Sequence, residues 1–370
     1  MKIDDKKSLK SPSLRFPEFT GEWEKCKIED ITDAVSSGKS KNHFSNGEYN
    51  LYGSTGIIGR TDKALYDGKL VLVARVGANA GFLQIINEPC GITDNTLILK
   101  PKGIDAFYLY YFLQHFNLNR LIFGSGQPLI TGGMLKKVKV SLGTISEQSK
   151  IVKFLSLLDE RIAVQNRLIE DLKKLRCAIV EKMFKQSKAN GRLGDFIEQV
   201  SVRNKNGLYS NVLSVSNKQG FVKQSEQFED RTVASEDTSN YKIVKRNNFA
   251  YNPARINVGS IARLTKFDVG IVSPMYVCFR TKASIIPEYM EAFFTSQQFF
   301  YEMMKRLEGS VRLCLSYEGL CNIPVYIPNM NKQIVMGQNI SLILSKIGLE
   351  IEYLGRLHQQ KQYLLRKMFI

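Results

Sequence analysis

Residues 147–184 read EQSKIVKFLSLLDERIAVQNRLIEDLKKLRCAIVEKMF, and residues 332–369 read KQIVMGQNISLILSKIGLEIEYLGRLHQQKQYLLRKMF. In the first stretch, Ile151, Leu155, Leu158, Ile162, Gln165, Ile169, Leu172, Arg176, Ile179 and Met183 follow one another in alternating steps of four and three. Adding 185 to each number gives Met336, Ile340, Ile343, Ile347, Glu350, Leu354, Leu357, Lys361, Leu364 and Met368. That spacing is a heptad seam, the pattern of a coiled coil rather than of a generic amphipathic helix. The polar interruptions fall in the same two places, Gln165 with Glu350 and Arg176 with Lys361. A helix of about 38 residues is about 57 Å long and cannot bury such a seam alone. Two seams in one chain are expected to bury each other.

Chain direction sets the orientation. The first helix leaves one globular segment for the next, and the second can only return, so the pair is expected to be antiparallel. The expected register sets Arg176 against Glu350, Gln165 against Lys361, Ile169 against Leu357 and Leu172 against Leu354. A one-heptad slip would oppose Arg176 to apolar Ile343. Ser146 and Asn331 are the expected helix caps.

The repeat extends beyond the helices. GSGQPLITGGMLKKVKV (124–140) returns as GSVRLCLSYEGLCNIPV (309–325), 185 residues later in a chain of 370. Ala74-Arg75 matches Ala254-Arg255 at an offset of 180, so loop lengths differ inside a frame that holds at its ends. KLVLVAR and TLILK read as strands and FYLYYFLQHF as a buried helix; NFAYNPAR, GIVSPMYVCFR and EYMEAFFTSQQFF follow in the same order. The expected fold is α+β: two mixed α/β domains separated by two long antiparallel helices, with a pseudo-two-fold internal repeat. Expected boundaries are an N-terminal arm at 1–15, a first domain at 16–145, a central helix at 146–187, a second domain at 188–330 and a C-terminal helix at 331–370.

Charge narrows the partner. Lys and Arg number 52 against 35 Asp and Glu, a net charge of +17. Such a surface attracts polyanions, nucleic acid first among them. The start, MKIDDKKSLK, is neither a signal nor a transit peptide. The run LVLVARVGANAGFLQII is broken by Arg75 and is too short to span a bilayer, so the expected location is cytoplasmic, with no membrane partner. Six cysteines lack a paired two-residue spacing and read as small apolar residues. The histidines His43, His115 and His358 are too scattered for a zinc site, and no metal is expected.

Tests for catalysis come out negative. SSGKS (36–40) would need a glycine where Asp33 stands to be a phosphate-binding loop. It reads as a turn whose Lys39 touches DNA phosphate. NPAR (252–255) lacks the second proline and the aromatic of the amino-methyltransferase motif, and no nucleophile has a base at persuasive spacing. Instead, the loops carry groups suited to base edges and phosphates: arginine matches guanine, and asparagine or glutamine matches adenine. The candidates for DNA contact in the first domain are Lys39, Tyr52, Ser54, Arg60, Arg75, Asn79, Asn95 and Gln127. Those in the second are Asn217, Lys218, Tyr251, Asn252, Arg255, Asn257, Arg263 and Arg312.

At this point the chain resembles the specificity subunit of type I restriction–modification enzymes. LRFPEFTGEWEKCKIEDI, the two domain-end frames and the duplicated helix carry the likeness over nearly the whole length. The resemblance implies two target-recognition domains, each reading one half of a split, asymmetric DNA site, and helices that set the unread spacer. It implies no catalysis and no cofactor on this chain. Its partners would be duplex DNA, two methyltransferase subunits carrying S-adenosylmethionine and methylating adenine, and restriction subunits using ATP and Mg. Leu157, Leu168, Leu175, Leu342 and Tyr353, off the seam, would either widen the internal packing or dock those partners. The last helix ends at Ile370 with almost no tail, which argues against a contact joining the N-terminal arm to the C-terminus. The competing readings are an RNA-binding or scaffold protein with two β-rich modules, and an autonomous adenine methyltransferase.

Overall fold

The computed structural model describes residues 11–41, 47–122, 128–185, 188–217, 219–227, 237–309 and 312–370. The chain forms two compact units, one of Met1–Asn166 with Glu352–Ile370 and the other of Arg167–Ile351. Each long helix, Ile145–Lys185 and Met330–Met368, therefore contributes one half to each unit.

In the first unit, an antiparallel sheet runs in the order Thr32–Ser37, Thr96–Pro101, Lys69–Ala74, Leu83–Asn87. A smaller sheet joins Gly56–Thr61, Tyr49–Gly53 and Cys90–Ile92. The helix Ala106–Phe116 buries Tyr108, Leu109, Phe112 and Leu113 in one core with Val71, Val73, Leu97 and Leu99. Its start is capped by Asp105, which accepts from the Phe107 N–H. Ile151, Leu155, Leu158 and Ile162 of the first long helix join that core, as do Leu357, Leu364, Leu365 and Met368 of the second.

In the second unit, one sheet runs Ile197–Gln199, Val277–Thr281, Phe249–Tyr251, Ile261–Arg263. The other runs Gly220–Lys223, Val212–Ser216, Val269–Val272, Lys242–Lys245. The core gathers Phe249, Tyr251, Phe279, Tyr289 and Phe293 with Val180 and Phe184 of the first long helix and Ile340 of the second.

The two halves share hydrogen bonds at the 185-residue offset. The acceptors Val138 and Ile323 stand at that offset, taking the N–H of Ile28 and of Leu193, although those two donors do not. Thr131 caps Gly132–Lys136 by accepting from Met134; Ser316 caps Tyr317–Cys321 by accepting from Gly319. The Gln148 amide donates to the Gly143 carbonyl and the Gln333 amide to Pro328. Even the caps of the long helices correspond: Thr144 accepts from the Glu147 N–H and Asn329 from the Lys332 N–H. These replace the expected caps Ser146 and Asn331. Each cap lies two residues earlier because that side chain comes before the first helical turn and reaches back to its free N–H groups.

No seam position is exposed, and twelve of the twenty are buried. Ile151, Leu155, Leu158, Ile162, Gln165 and Ile169 are buried in the first helix, and Ile340, Ile347, Glu350, Leu357, Leu364 and Met368 in the second. Within the first unit Lys361 pairs with Asp159 at 2.6 Å, and Arg161 donates to the Tyr353 hydroxyl. Rising numbers on one helix meet falling numbers on the other, so the halves run antiparallel.

The charged side chains meet partners other than those the expected register names. Lys361 reaches Asp159 rather than Gln165, and Arg161 meets Tyr353, twelve residues from its expected opposite Leu365. Arg176 lies beside Glu291 of the helix Pro287–Phe294, and Glu350 pairs with Lys346 one turn away. Long basic side chains can leave a seam for acids on its flank. Cross-seam charge pairing therefore does not have to set the register, and apolar packing is free to do so.

The segment at Leu14 meets the end of the second long helix, against expectation. The Leu14 N–H donates to the Lys367 carbonyl at 2.9 Å. Phe369 sits among Trp23, Tyr108, Phe112 and His115. The contact needs no tail, because the end of the helix is itself part of the core.

Burial separates the cysteines. It pushes the thiol of Cys90 up to about 11 and that of Cys278 up to about 12, while Cys177 is exposed on the first long helix. A maleimide probe is expected to modify Cys177 first and to reach Cys90 and Cys278 only on unfolding. Peptide mass mapping over time reads the order.

Candidate nucleic-acid interface

Several expected contact residues of the first unit are tied up internally. The Tyr52 hydroxyl donates to Glu88 at 2.6 Å, and the Asn50 amide donates to the same oxygen at 2.8 Å. Those two donors hold the Glu88 carboxyl below its ordinary range, while burial, with the carboxylate's help, pushes Tyr52 up to about 12. Arg60 donates to the carbonyls of Gly47 and Glu48, which closes the end of the Tyr49–Gly53 and Gly56–Thr61 hairpin. Both side chains support the small sheet.

Ser54, Arg75 and Asn95 come together. The Asn95 carbonyl accepts from the Arg75 N–H at 2.9 Å and from the Ser54 hydroxyl at 3.3 Å. The Arg75 carbonyl in turn accepts from Ile130, joining this turn to the frame after residue 128. The Nε of Arg75 is buried without a hydrogen-bond partner. Asn79 lies elsewhere, in a cleft of about 570 Å³ with Phe82, Gln114, Asn117 and Lys361. Lys39 is exposed in a third place, a cleft of about 290 Å³ shared with Lys41, Lys63 and Asp62. The glycine of its SSGKS turn has a steric reason: a Cβ on Gly38 would lie 2.3 Å from the Ile92 carbonyl oxygen. Gln127 lies outside the described residues.

The second unit concentrates its candidates. Asn252, Arg255 and Arg312 line one cleft of about 640 Å³ with Ser214, Gln224 and Met275. Two loops build it. The first follows the strand Phe249–Tyr251: Asn252 Oδ1 accepts from the Ala254 N–H, and a 3-10 turn, Ile256–Val258, closes on Gly259. The second loop carries Arg312. There Glu308 and Cys314 exchange backbone hydrogen bonds, and Gly309 has φ +120°. A Cβ on Gly309 would meet the Arg312 carbonyl oxygen at 2.3 Å, so the turn requires glycine. The Leu315 N–H donates to Pro253, and the Tyr251 hydroxyl to Leu315, fastening the loops together.

Tyr251 is therefore corrected to a buried fastener. Arg263 is corrected as well: its guanidinium is held by Glu288, Glu291 and Asn247, and its side chain is 9% exposed. Burial in turn raises the Glu291 carboxyl above its ordinary range, against the pull of Arg263. Asn257 is half-buried on the 3-10 turn, Asn217 is exposed beside Gly259, and Lys218 lies outside the described residues. The loop readings missed Gln224 and Met275. No local pattern marks either residue, since the tertiary fold brings both to the cleft.

The long helices keep an apolar exterior. Leu157, Leu168, Leu175 and Leu342 are exposed, so they do not widen the internal packing; Tyr353 is half-buried under Arg161. By length and composition Met330–Met368 could cross a membrane, with a mean hydropathy of 1.3 over its most apolar window. Its Ile340 is buried in one protein core and its Leu357, Leu364 and Met368 in the other, alongside exposed Val335, Leu342, Leu349 and Ile351.

Residues 20–174 match the family described as the type I restriction modification DNA specificity domain. The chain is 31% identical over 119 residues to the MjaVIII type I specificity subunit of Methanocaldococcus jannaschii, a match covering 31% of this chain and 28% of that protein. It is 28% identical over 176 residues to a putative type I specificity subunit of Mycoplasma genitalium, covering 45% and 46%. The chain thus spans less than half the length of these curated relatives. Its fold is similar to the crystal structure of an S subunit from M. genitalium, with a TM-score of 0.65 at 20% identity over 97% of this chain and 99% of that one.

Proposed function

We propose that this chain, which carries the type I restriction modification DNA specificity domain over residues 20–174, is the non-catalytic specificity subunit of a type I restriction–modification complex. The observation that carries the proposal is one hydrogen-bonded frame built twice around different clefts. A duplicated frame offers equivalent docking sites to two copies of one partner, while dissimilar clefts read dissimilar sequences. In this reading the repeat is a pseudo-two-fold, and the helices form an antiparallel coiled coil that sets the spacer between half-sites. The partners are duplex DNA, two methyltransferase subunits on the exposed apolar helix faces, and restriction subunits. S-adenosylmethionine, ATP and Mg belong to those partners. The complex works in the cytoplasm, and the charge of +17 supplies salt-dependent attraction to the duplex.

The test is methylome sequencing of cells expressing the chain with its methyltransferase partner. One bipartite adenine-methylated motif is expected, absent when this chain is omitted. Arg75→Gln and Asn79→Ala are expected to relax one half-site, Arg255→Gln and Arg312→Gln the other, each by about 1–3 kcal/mol at one position. Equal weakening at every site would make these side chains phosphate contacts. Methylation by the purified chain alone would contradict the non-catalytic role.

A further inference from the structure

The cleft of the second unit has a specific chemistry. Among the described residues of that unit's globular part, Arg192, Arg203, Arg246, Arg263, Arg280 and Arg306 each donate to an acceptor within the chain. Arg255 and Arg312 are exposed, lack such a bond among the described contacts, and line the same cleft. Among the described residues no carboxylate lines it either. The same cleft holds an acceptor: Gln224 Oε1 is buried and has no hydrogen-bond partner. A buried polar atom left unpaired in the unbound protein calls for a ligand group to pair with it.

We infer that this cleft reads base edges at a G·C-containing half-site, with Arg255 and Arg312 donating to guanine O6 and N7 and Gln224 Oε1 accepting from an exocyclic base amine. The inference rests on the DNA-reading function proposed above. A phosphate offers only acceptors and would leave Gln224 Oε1 facing like charge. A base pair offers acceptors and an amine side by side. The guanidinium fork suits paired acceptors, whereas lysines, point charges suited to phosphate, gather in a cleft of the first unit and are absent from the described lining of this one. Apolar Met275 and Val212 on the wall suit the flat surface or methyl of a base. The fastened loops hold the backbone that carries the two arginines before binding, which lowers the ordering cost of the loops themselves. Asn252, whose Oδ1 is committed to its own loop, is a positioning residue that orients Arg255.

The complex with its methyltransferase partner is sequenced by methylome as wild type, Arg255→Gln, Arg312→Gln and Gln224→Met. The expected result is that each arginine variant relaxes a position that is guanine in the wild-type motif, with about a ten- to hundred-fold loss of preference there. The other half-site stays unchanged. Gln224→Met relaxes a position in the same half-site whose base presents an amine. Thermal melts matching wild type confirm folding. Relaxation at A·T positions overturns the guanine assignment. Uniform loss over all sites, with the salt slope of binding reduced by about one per arginine, shows phosphate contacts and overturns base reading. A wild-type complex that binds no duplex in direct titration overturns the DNA-reading function itself and this assignment with it.

Discussion

Removing residues 163–169 and 344–350 together is expected to shorten the unread spacer by about three base pairs while leaving both half-sequences unchanged. Seven residues rise about 10.5 Å on a helix, which is about three steps of duplex at 3.4 Å per strand charge. The deletion takes one heptad from each partner and removes both buried polar seam residues, Gln165 and Glu350. Ile162 then leads to Leu172, and Ile343 to Leu354, with the three–four spacing preserved. A heptad turns the helix face by only about 20°, so the seam stays aligned. Removing five residues from each helix instead turns the far half by about 140° and exposes its seam, so loss of soluble complex is expected. Methylome sequencing reads the spacer. An unchanged gap with altered half-sequences would show that the helices are not the ruler.

Arg15→Met is expected to destabilise the first unit by about 3–5 kcal/mol, the range for a buried ion pair losing one partner. The Glu147 carboxylate is fully buried and accepts from Arg15 Nε at 2.6 Å, Arg15 Nη2 at 2.7 Å and Trp23 Nε1 at 3.1 Å. Without Arg15, a buried charge keeps one neutral donor. Thermal melting is expected to fall by about 10 °C for a unit of this size. Arg15→Met with Glu147→Leu is expected to recover most of that loss, because removing both charges also removes the desolvation cost. Equal melting of the single variant and wild type would show that the pair contributes nothing. The cluster is asymmetric: the matching position in the second helix is Lys332, which is exposed.

That asymmetry illustrates why side-chain partners were not legible in the linear chain. Glu147 reads as an ordinary first-turn acid, and nothing local says that Arg15, 132 positions away, will neutralise it. Arg176, Lys361 and Arg263 were each misplaced for the same reason. A long flexible cation takes whichever acid the fold brings near, and Glu291 and Asp159 carry no local mark of being near. Tyr52 and Tyr251 had the composition of contact residues and turned inward, since an aromatic with a hydroxyl serves equally well in a core that offers an acceptor.

Residue order alone already required two long helices with buried seams and a frame written twice, because apolar spacing of three and four permits one buried face and the same seam and domain-end frame return 185 residues later. Folding decided the rest: the acids that Lys361 and Arg176 meet, the docking of Leu14 onto Lys367, and the meeting of Gln224, Arg255 and Arg312 around one cleft. Periodicity is a property of neighbours along a chain. Charge pairing and cleft formation depend on distances in space, which only packing sets.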